Sequence, residues 1–348
     1  MDDYGWNSPG SISGWSLTLT LDSTPPVSTL TTDSVPNANG WYTEAVDLVL
    51  EATDESGGAG VRYMRFFIHT PAGYNLDSWI HDSRGELPPL TEGVYDVSFY
   101  AVDFVGNIEV KQNRVFRVDT RAPTLEPPTF RLALGTLTAA GVPVAVHIPD
   151  WDDGSSTGGS GSGIRRCVFQ QRTNNGIWKT IPGSGTPRLL QLAPSNTYQF
   201  RAWVVDFAGY RSSEAYSERK RVQLYQEANA AIVDTGTWTT ASSSLASGGQ
   251  VQYATEIGRE VLFTFTGTDV ALVTTRGPDF GGVRYAFDES WICCFDFYSP
   301  TLEGKQVRAP VWATNGIHNF RVSVGRANSA SAGARVDVDA FVVLKLVP

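Results

Sequence analysis

The sequence predicts an all-β protein, and three observations carry that prediction. Apolar residues fall on alternate positions in one stretch after another. Val46-Asp-Leu48-Val-Leu50-Glu-Ala52 and Val142-Pro-Val144-Ala-Val146-His-Ile148 show the two-residue period of a half-buried strand. No segment longer than a turn or two keeps the 3.6-residue period of a helix. The 34 glycines and 19 prolines follow no fixed period, which excludes collagen and suits many short strands joined by tight turns.

A chain of 348 residues is long for one sandwich and suits several domains of about 100–150 residues. Hydrophobic residues make up 41%, enough for a core in each. With 36 acidic against 27 basic residues the formal charge is −9, so no nucleic-acid partner is expected. No apolar run reaches the roughly 18 residues that cross a bilayer as a helix, so no membrane insertion is expected. Three cysteines are too few for a disulfide scaffold.

The chain repeats itself. Tyr95-Asp-Val97-Ser-Phe99-Tyr-Ala101-Val-Asp103-Phe104-Val-Gly106 matches Tyr198-Gln-Phe200-Arg-Ala202-Trp-Val204-Val-Asp206-Phe207-Ala-Gly209 at an offset of 103. Gly60-Val61-Arg62 matches Gly163-Ile164-Arg165 at the same offset, and Asp22…Pro26 recurs as Asp119…Pro123 at 97. Two units of about seven short strands follow, over residues 22–121 and 122–226. Turn signals punctuate them, Asn39-Gly40 and Asn174-Asn175-Gly176 among them. Pro143 lacks an amide hydrogen, so its strand is expected at a sheet edge or with that position unpaired.

Leu192-Ala-Pro194-Ser-Asn-Thr-Tyr198, with the strand and Asp-Phe-Ala-Gly after it, resembles the tyrosine corner of fibronectin type III domains. The earlier unit, from Thr24-Pro25-Pro26 through Leu90…Tyr95 to Asn107, resembles bacterial Ig-like domains. These resemblances imply β-sandwiches acting as non-catalytic spacers or adhesive modules of secreted bacterial proteins.

Residues 227–348 resemble a galactose-binding-like jelly roll, as found at the carboxy-terminal end of secreted bacterial hydrolases. The matching features are Gly236-Thr-Trp238, Phe263-Thr-Phe265-Thr-Gly267-Thr, Arg276-Gly-Pro-Asp279, Asp296-Phe-Tyr298, Asn315-Gly-Ile-His318 and Val336-Asp-Val-Asp-Ala-Phe341. Asp288-Glu-Ser-Trp291-Ile-Cys-Cys stands where a short Asp-Gly turn would be conventional. In residues 1–21, Gly10-Ser-Ile12-Ser-Gly14-Trp15-Ser-Leu17-Thr-Leu19-Thr resembles the last strand of the P domain of proprotein convertases. That resemblance implies an orphan strand and a chain that continues upstream into a subtilisin-like protease.

Catalytic signatures are missing. There is no G-x-S-x-G elbow, HExxH, CxxC or phosphate loop, and His69, His81, His147 and His318 are scattered, so neither catalytic residues nor a metal or cofactor is expected. Asp103 and Asp206 follow core strands, and each is read as an acceptor of backbone N–H bonds in the next turn rather than a ligand. The acidic loop Asp150-Trp-Asp152-Asp153 could hold calcium or lie solvated. Tyr100 and Trp203 face away from the core, to stack on a sugar or to cover the outer sheet alongside Arg201. In the last domain Trp291, in a hairpin tip, and Trp238 are candidates for stacking on a sugar, with Arg276 and Asp279 supplying polar contacts. Period two puts Cys293 inward and Cys294 outward.

The expected function is therefore a non-catalytic extracellular adhesion or spacer array, with a cell-surface or extracellular glycan as partner of the last domain. The alternatives are a subunit of a surface layer or filament, self-associating through the N-terminal strand, and the accessory tail of a secreted protease.

Overall fold

The computed structural model describes residues 14–70, 73–148, 150–154, 161–183, 186–327 and 329–348. It is all-β: among the described residues there is no helix, and so none long and apolar enough to cross a membrane. The chain divides into two compact units, Met1–Thr120 with Gly154–Ser162, and Arg121–Asp153 with Gly163–Pro348.

The first unit is a sandwich of seven strands. Val27–Thr31, Val49–Thr53 and Arg84–Glu86 form one sheet; Asn75–Ile80, Val61–His69, Gly93–Asp103 and Gln112–Val118 form the other, in that spatial order. The inward alternates Leu30, Leu50, Phe66, Val97, Phe99 and Phe116 meet between the sheets. Burying such side chains, at about 25 cal/mol per Å² of apolar surface, is what drives the two sheets together.

The second repeat builds the same local structure inside the second unit. Lys179–Thr180, Ile164–Thr173, Thr197–Asp206 and Lys220–Gln226 are neighbours in one sheet, facing Arg188–Leu192, Val142–His147 and Thr129–Leu132 in another. The Tyr95 hydroxyl donates to the Glu92 carbonyl at 3.1 Å, and Tyr198 donates to the Ala193 carbonyl at 3.1 Å. Asp103 N–H donates to the carbonyl of Asn107, and Asp206 N–H to that of Tyr210. Phe104 N–H reaches the Gly60 carbonyl, and Phe207 N–H the Gly163 carbonyl. Gly60 and Gly163 each have φ +82°, where a side chain would be strained. Both buried aspartates accept amide hydrogens from the following turn, Asp103 from Val105, Gly106 and Asn107 and Asp206 from Gly209 and Tyr210.

The part of the predicted orphan strand before Gly14 lies outside the described residues. The remainder, Gly14–Leu21, forms no ladder, and Trp15, Leu17, Leu19 and Leu21 are all exposed. An isolated strand has no partner for its backbone groups, so alternation alone does not make one. The strand containing Pro143 is central, so of the two expected placements it is the unpaired position, not the sheet edge, that the structure shows. Pro143 sits one residue past Val144↔Leu132, where the pairing with Thr129–Leu132 ends. It still accepts the Ala133 N–H but has no hydrogen to return, so that ladder stops there.

The second unit is held together by one continuous sheet. Strand Lys220–Gln226 pairs over its whole length with the C-terminal strand Ala340–Leu346, which pairs in turn with Glu260–Arg276, then Glu303–Val324, Gly282–Phe287 and Ser290–Asp296. The segments on the two sides of the expected boundary near Gln226 are therefore joined by a ladder, Lys220–Gln226 with Ala340–Leu346. Ala340, Val342 and Leu344 enter the core of Phe130, Phe169 and Phe200, while Phe341 and Val343 enter that of Phe263 and Phe320. The strand is apolar on both faces because it serves two cores.

One charged pair lies at this seam. Lys220 and Asp269 are both buried, with Nζ 3.7 Å from Oδ1. Asp269 also accepts the Leu132 N–H and the Thr268 hydroxyl, and Lys220 donates to the Phe130 carbonyl at 3.3 Å. Burial raises the Asp269 carboxyl above its usual range, with Lys220 as the chief opposing influence. Lys220→Met should cost about 3–5 kcal/mol at neutral pH, because it strands a buried carboxylate. Without Lys220 the folded carboxyl titrates higher still, above its unfolded value. Stability present below the unfolded value is then lost as pH rises through the folded one. Urea melts of the variant should therefore show a smaller deficit near pH 5 than near pH 8; an equal deficit at both would contradict the ion-pair account.

Candidate functional site

The hairpin Gly282–Phe287 and Ser290–Asp296 ends the large sheet, beside Glu303–Val324. Its two-residue turn, Asp288-Glu289, has φ +45° and +70°, the backbone that matches a twisted hairpin and normally selects Asn-Gly. The turn is braced from the neighbouring strand. Asp288 accepts the Asn319 N–H at 2.9 Å, its Oδ2 lies 2.7 Å from His318 Nδ1, and its own N–H donates to the Asn319 carbonyl. His318 Nε2 donates to the Thr314 carbonyl at 2.8 Å, between the rings of Phe265 and Phe287. Partial burial works to raise the Asp288 carboxyl, but the Asn319 amide and His318 outweigh it and hold the group below its usual range.

That brace presents Trp291. A register shift between Tyr285 and Ala286 leaves Ile292 without a cross-strand partner, and both Trp291 (44%) and Ile292 (45%) are exposed. The Arg284 guanidinium lies 4.4 Å from the Trp291 ring centroid, fixing the indole. Arg284 pairs across the hairpin with Cys294, which is exposed as its outward assignment requires, while the Cys293 side chain lies outside the described residues. Next to this pair is a groove of about 390 Å³, lined among others by Ile257, Gly258, Arg284, Cys294, Ser323 and Arg326.

The four predicted ligand residues do not converge. Trp291 is opposite Ala286 near the turn. Arg276 and Asp279 flank the other end of the hairpin, beyond Gly282↔Asp296, about 13 Å of ladder away. Arg276 donates to the Tyr298 carbonyl at 2.8 Å and pairs with Glu303 at 3.3 Å, so it anchors the loop that carries them. Asp279 is exposed, and its backbone carbonyl accepts the Arg335 N–H. Trp238 packs into the core of Phe263 and Phe341, its indole N–H buried without an acceptor among the described residues. Only Trp291 among them offers a ring to solvent beside a groove. Arg284, Arg326 and Ser323 escaped the sequence reading, because their convergence depends on which distant strands pair.

The remaining candidates are occupied structurally. Arg201 and Arg211 stand over Trp203 at 5.3 and 4.6 Å, and Tyr100 packs with Phe67 and receives Arg65, so both aromatics cover their outer sheets. Asp150 is exposed, while Asp153 accepts the Gly163 N–H. In the first unit Asp22, Asp54 and Asp103 each bring one oxygen within 4.8 Å of the others. Each also accepts backbone hydrogens, Asp22 from Ala59 and Asp54 from Gly60. The Ala59 and Thr24 amides hold Asp22 below its usual range. His147 is exposed against the Thr186 hydroxyl, His69 meets Asn75, and His81 lies edge-on to Tyr63.

Glu289 carries the turn's second positive φ on a residue with a side chain, a conformation that costs about 1 kcal/mol or more. Glu289→Gly should relieve part of that cost and raise stability by about 0.5–1 kcal/mol in denaturant melts, with the Trp291 fluorescence environment unchanged. A loss of stability would show that the Glu289 side chain makes a contact the turn needs.

No protein-family profile matches the chain, and no curated protein does. Solved structures share parts of it. A two-domain esterase active on acetylated mannans aligns at 10% identity and a TM-score of 0.30 over 36% of this chain and 37% of its own, so the chain spans little more than a third of that protein's length. A family 35 carbohydrate-binding module from Clostridium thermocellum aligns at 16% identity and 0.27 over 35% of this chain and 98% of the module. The CBM36-1 domain of a multidomain xylanase from the hindgut metagenome of Trinervitermes trinervoides aligns at 14% and 0.25, over 37% and 99%. The structural neighbours thus include carbohydrate-binding modules, over about a third of the chain, as well as enzymes, of which an exo-beta-1,3-galactanase from Phanerochaete chrysosporium aligns at 14% identity and a TM-score of 0.28 over 92% of this chain and 82% of its own.

Proposed function

We propose that the chain is a non-catalytic, extracellular glycan-binding array. In this reading residues 22–121 and 122–226 are Ig-like and fibronectin III-like spacers, and residues 227–348 form the binding module, as part of a larger secreted or surface protein. The observation that carries it is Trp291: a large ring, exposed on a sheet face and immobilised by Arg284, which itself lines a groove of about 390 Å³. An indole held still in advance offers apolar area to a sugar ring at little entropic cost. The non-catalytic part is supported by the histidines. His318, the buried one, spends both ring nitrogens on Asp288 and Thr314, so neither is left to activate a nucleophile. Trp291→Ala should leave the melting temperature close to that of the parent, and weaken retention on the polysaccharide that binds best by about tenfold or more in affinity gels. Retention equal to the parent's would move the site elsewhere, and no retention on any neutral or acidic polysaccharide would overturn the reading.

A second reading, self-association through the N-terminal segment, is favoured by Trp15, Leu17, Leu19 and Leu21, which stand exposed on alternate positions without a ladder. Such a segment fits strand addition to a sheet edge of another copy. Light scattering across a concentration series would show dimers or larger species that Leu17→Lys with Leu19→Lys abolishes; a strict monomer sinks it.

A further inference from the structure

The groove beside Trp291 has a charge that the rest of the protein does not explain. In a chain of net charge −9, it is lined by two arginines, Arg284 and Arg326, and by no acid. Among the described residues neither guanidinium forms an ion pair. Arg284 is engaged by the Trp291 ring alone, and Arg326 is exposed. Acids on adjoining segments are already committed. Glu256 holds Arg259 at 2.5 Å, Glu260 holds Arg321 at 3.4 Å, and Asp296 accepts the Tyr298 N–H at 2.9 Å. Surface arginines elsewhere in this unit do find carboxylates, as Arg201 and Arg211 find Glu214.

The backbone fixes these two arginines relative to each other. Gly282 N–H donates to the Arg326 carbonyl at 2.9 Å, and Gly325 N–H to the Gly282 carbonyl at 2.8 Å. A Cβ on Gly282 would lie 2.6 Å from the Arg326 carbonyl oxygen, and one on Gly325 2.9 Å from that of Gly282, so only glycine permits this approach. Arg326 is thereby tied to the strand that carries Arg284. Ser323 lies opposite Arg284 in the ladder and lines the groove. It is 4% exposed, so its position is fixed by the strands around it. At the rim, Gly258 has open space where a side chain would stand.

Two forked cations, a serine lining the same groove and an indole stacked on one of the cations match an oxyanion attached to a ring. We propose that the groove binds the charged substituent of an acidic polysaccharide, a carboxylate or a sulfate ester, with Arg284 and Arg326 as ion-pair donors, Ser323 as hydroxyl donor and Trp291 packing the adjoining sugar. This inference rests on the glycan-binding reading and names its ligand class. Guanidinium groups suit planar or tetrahedral oxyanions because their N–H donors can bind in pairs.

The test is affinity electrophoresis of the full chain in gels cast with polygalacturonate, dextran sulfate or neutral dextran, at several salt concentrations. At least one acidic polymer should retard the protein more than dextran does, and the one that does so identifies carboxylate or sulfate. The double variant Arg284→Gln with Arg326→Gln should weaken that retention about tenfold or more, and Arg284→Lys with Arg326→Lys should recover part of it. An off-site pair with the same charge change, Arg165→Gln with Arg166→Gln on exposed positions of another strand, should leave retention unchanged. If the off-site pair weakens it equally, the attraction is bulk charge and the proposal fails. If only neutral polymers are retained, and Trp291→Ala abolishes that, the proposal fails while the glycan-binding reading stands. If no polymer in a wider neutral and acidic panel is retained, both fail.

Discussion

The second unit depends on one ladder, the antiparallel pairing of Lys220–Gln226 with Ala340–Leu346. Its seven registered pairs join the strand that closes one sandwich to the last strand of the other. Because the C-terminal strand is buried on both faces, its odd and even side chains belong to different cores. Neither core can lose that strand without losing part of its own packing. The buried Lys220–Asp269 pair lies on the same seam, and such a pair is costly to desolvate. Its value is positional: Asp269 holds the Leu132 amide and Lys220 holds the Phe130 carbonyl, so one ion pair sets the lateral position of three strands.

How much of this was legible in the sequence follows from what each pattern encodes. Period two encodes which face a side chain takes, and the strands Gly93–Asp103 and Thr197–Asp206 obey it. The Tyr198 hydroxyl bond was legible because its partner is only five residues away, and the offset of 103 places Tyr95 at the matching position, where its hydroxyl finds a carbonyl three residues away. Strand partnership is encoded by nothing local, so the fusion across residue 226 was not visible. The run Val336-Asp-Val-Asp shows a further limit of the pattern. It alternates as a solvent-facing strand would, yet Asp337 and Asp339 are buried, one paired with Arg335 and the other accepting the Ser247 amide and hydroxyl. Burial raises both carboxyls, so the same alternation can mark a satisfied interior as well as a wet face.

The candidate site divides the same way. Trp291 and the outward Cys294 could be placed from the hairpin alone. The roles of Arg276 and Trp238 could not, since each is decided by a contact from a distant segment: the Tyr298 carbonyl for one, the core of Phe263 for the other. An aromatic residue in a loop-rich sequence looks the same whether it will stack on a ligand or plug a core. What separates Trp291 from Trp238 is the Asp288-Glu289 turn, whose positive φ values force the hairpin to end where it does.

Rigidity links that turn to any binding this face performs. A shallow groove gains little from enclosure, so its affinity depends on how little freedom is lost when a ligand arrives. Here the indole is already stacked by Arg284, Arg326 is tied through Gly282 and Gly325, and the turn is pinned by His318 and Asn319. The last two of these fixings are anchored on the strand Glu303–Val324 or the segment immediately after it, and Arg284 pairs with Ser323 of that strand. That strand pairs with Glu260–Arg276, which in turn contacts the two-faced C-terminal strand. The cores therefore set the geometry of the face through a continuous series of backbone ladders. A substitution in the C-terminal strand would then alter binding without touching a ligand, by loosening the frame on which the arginines are spaced.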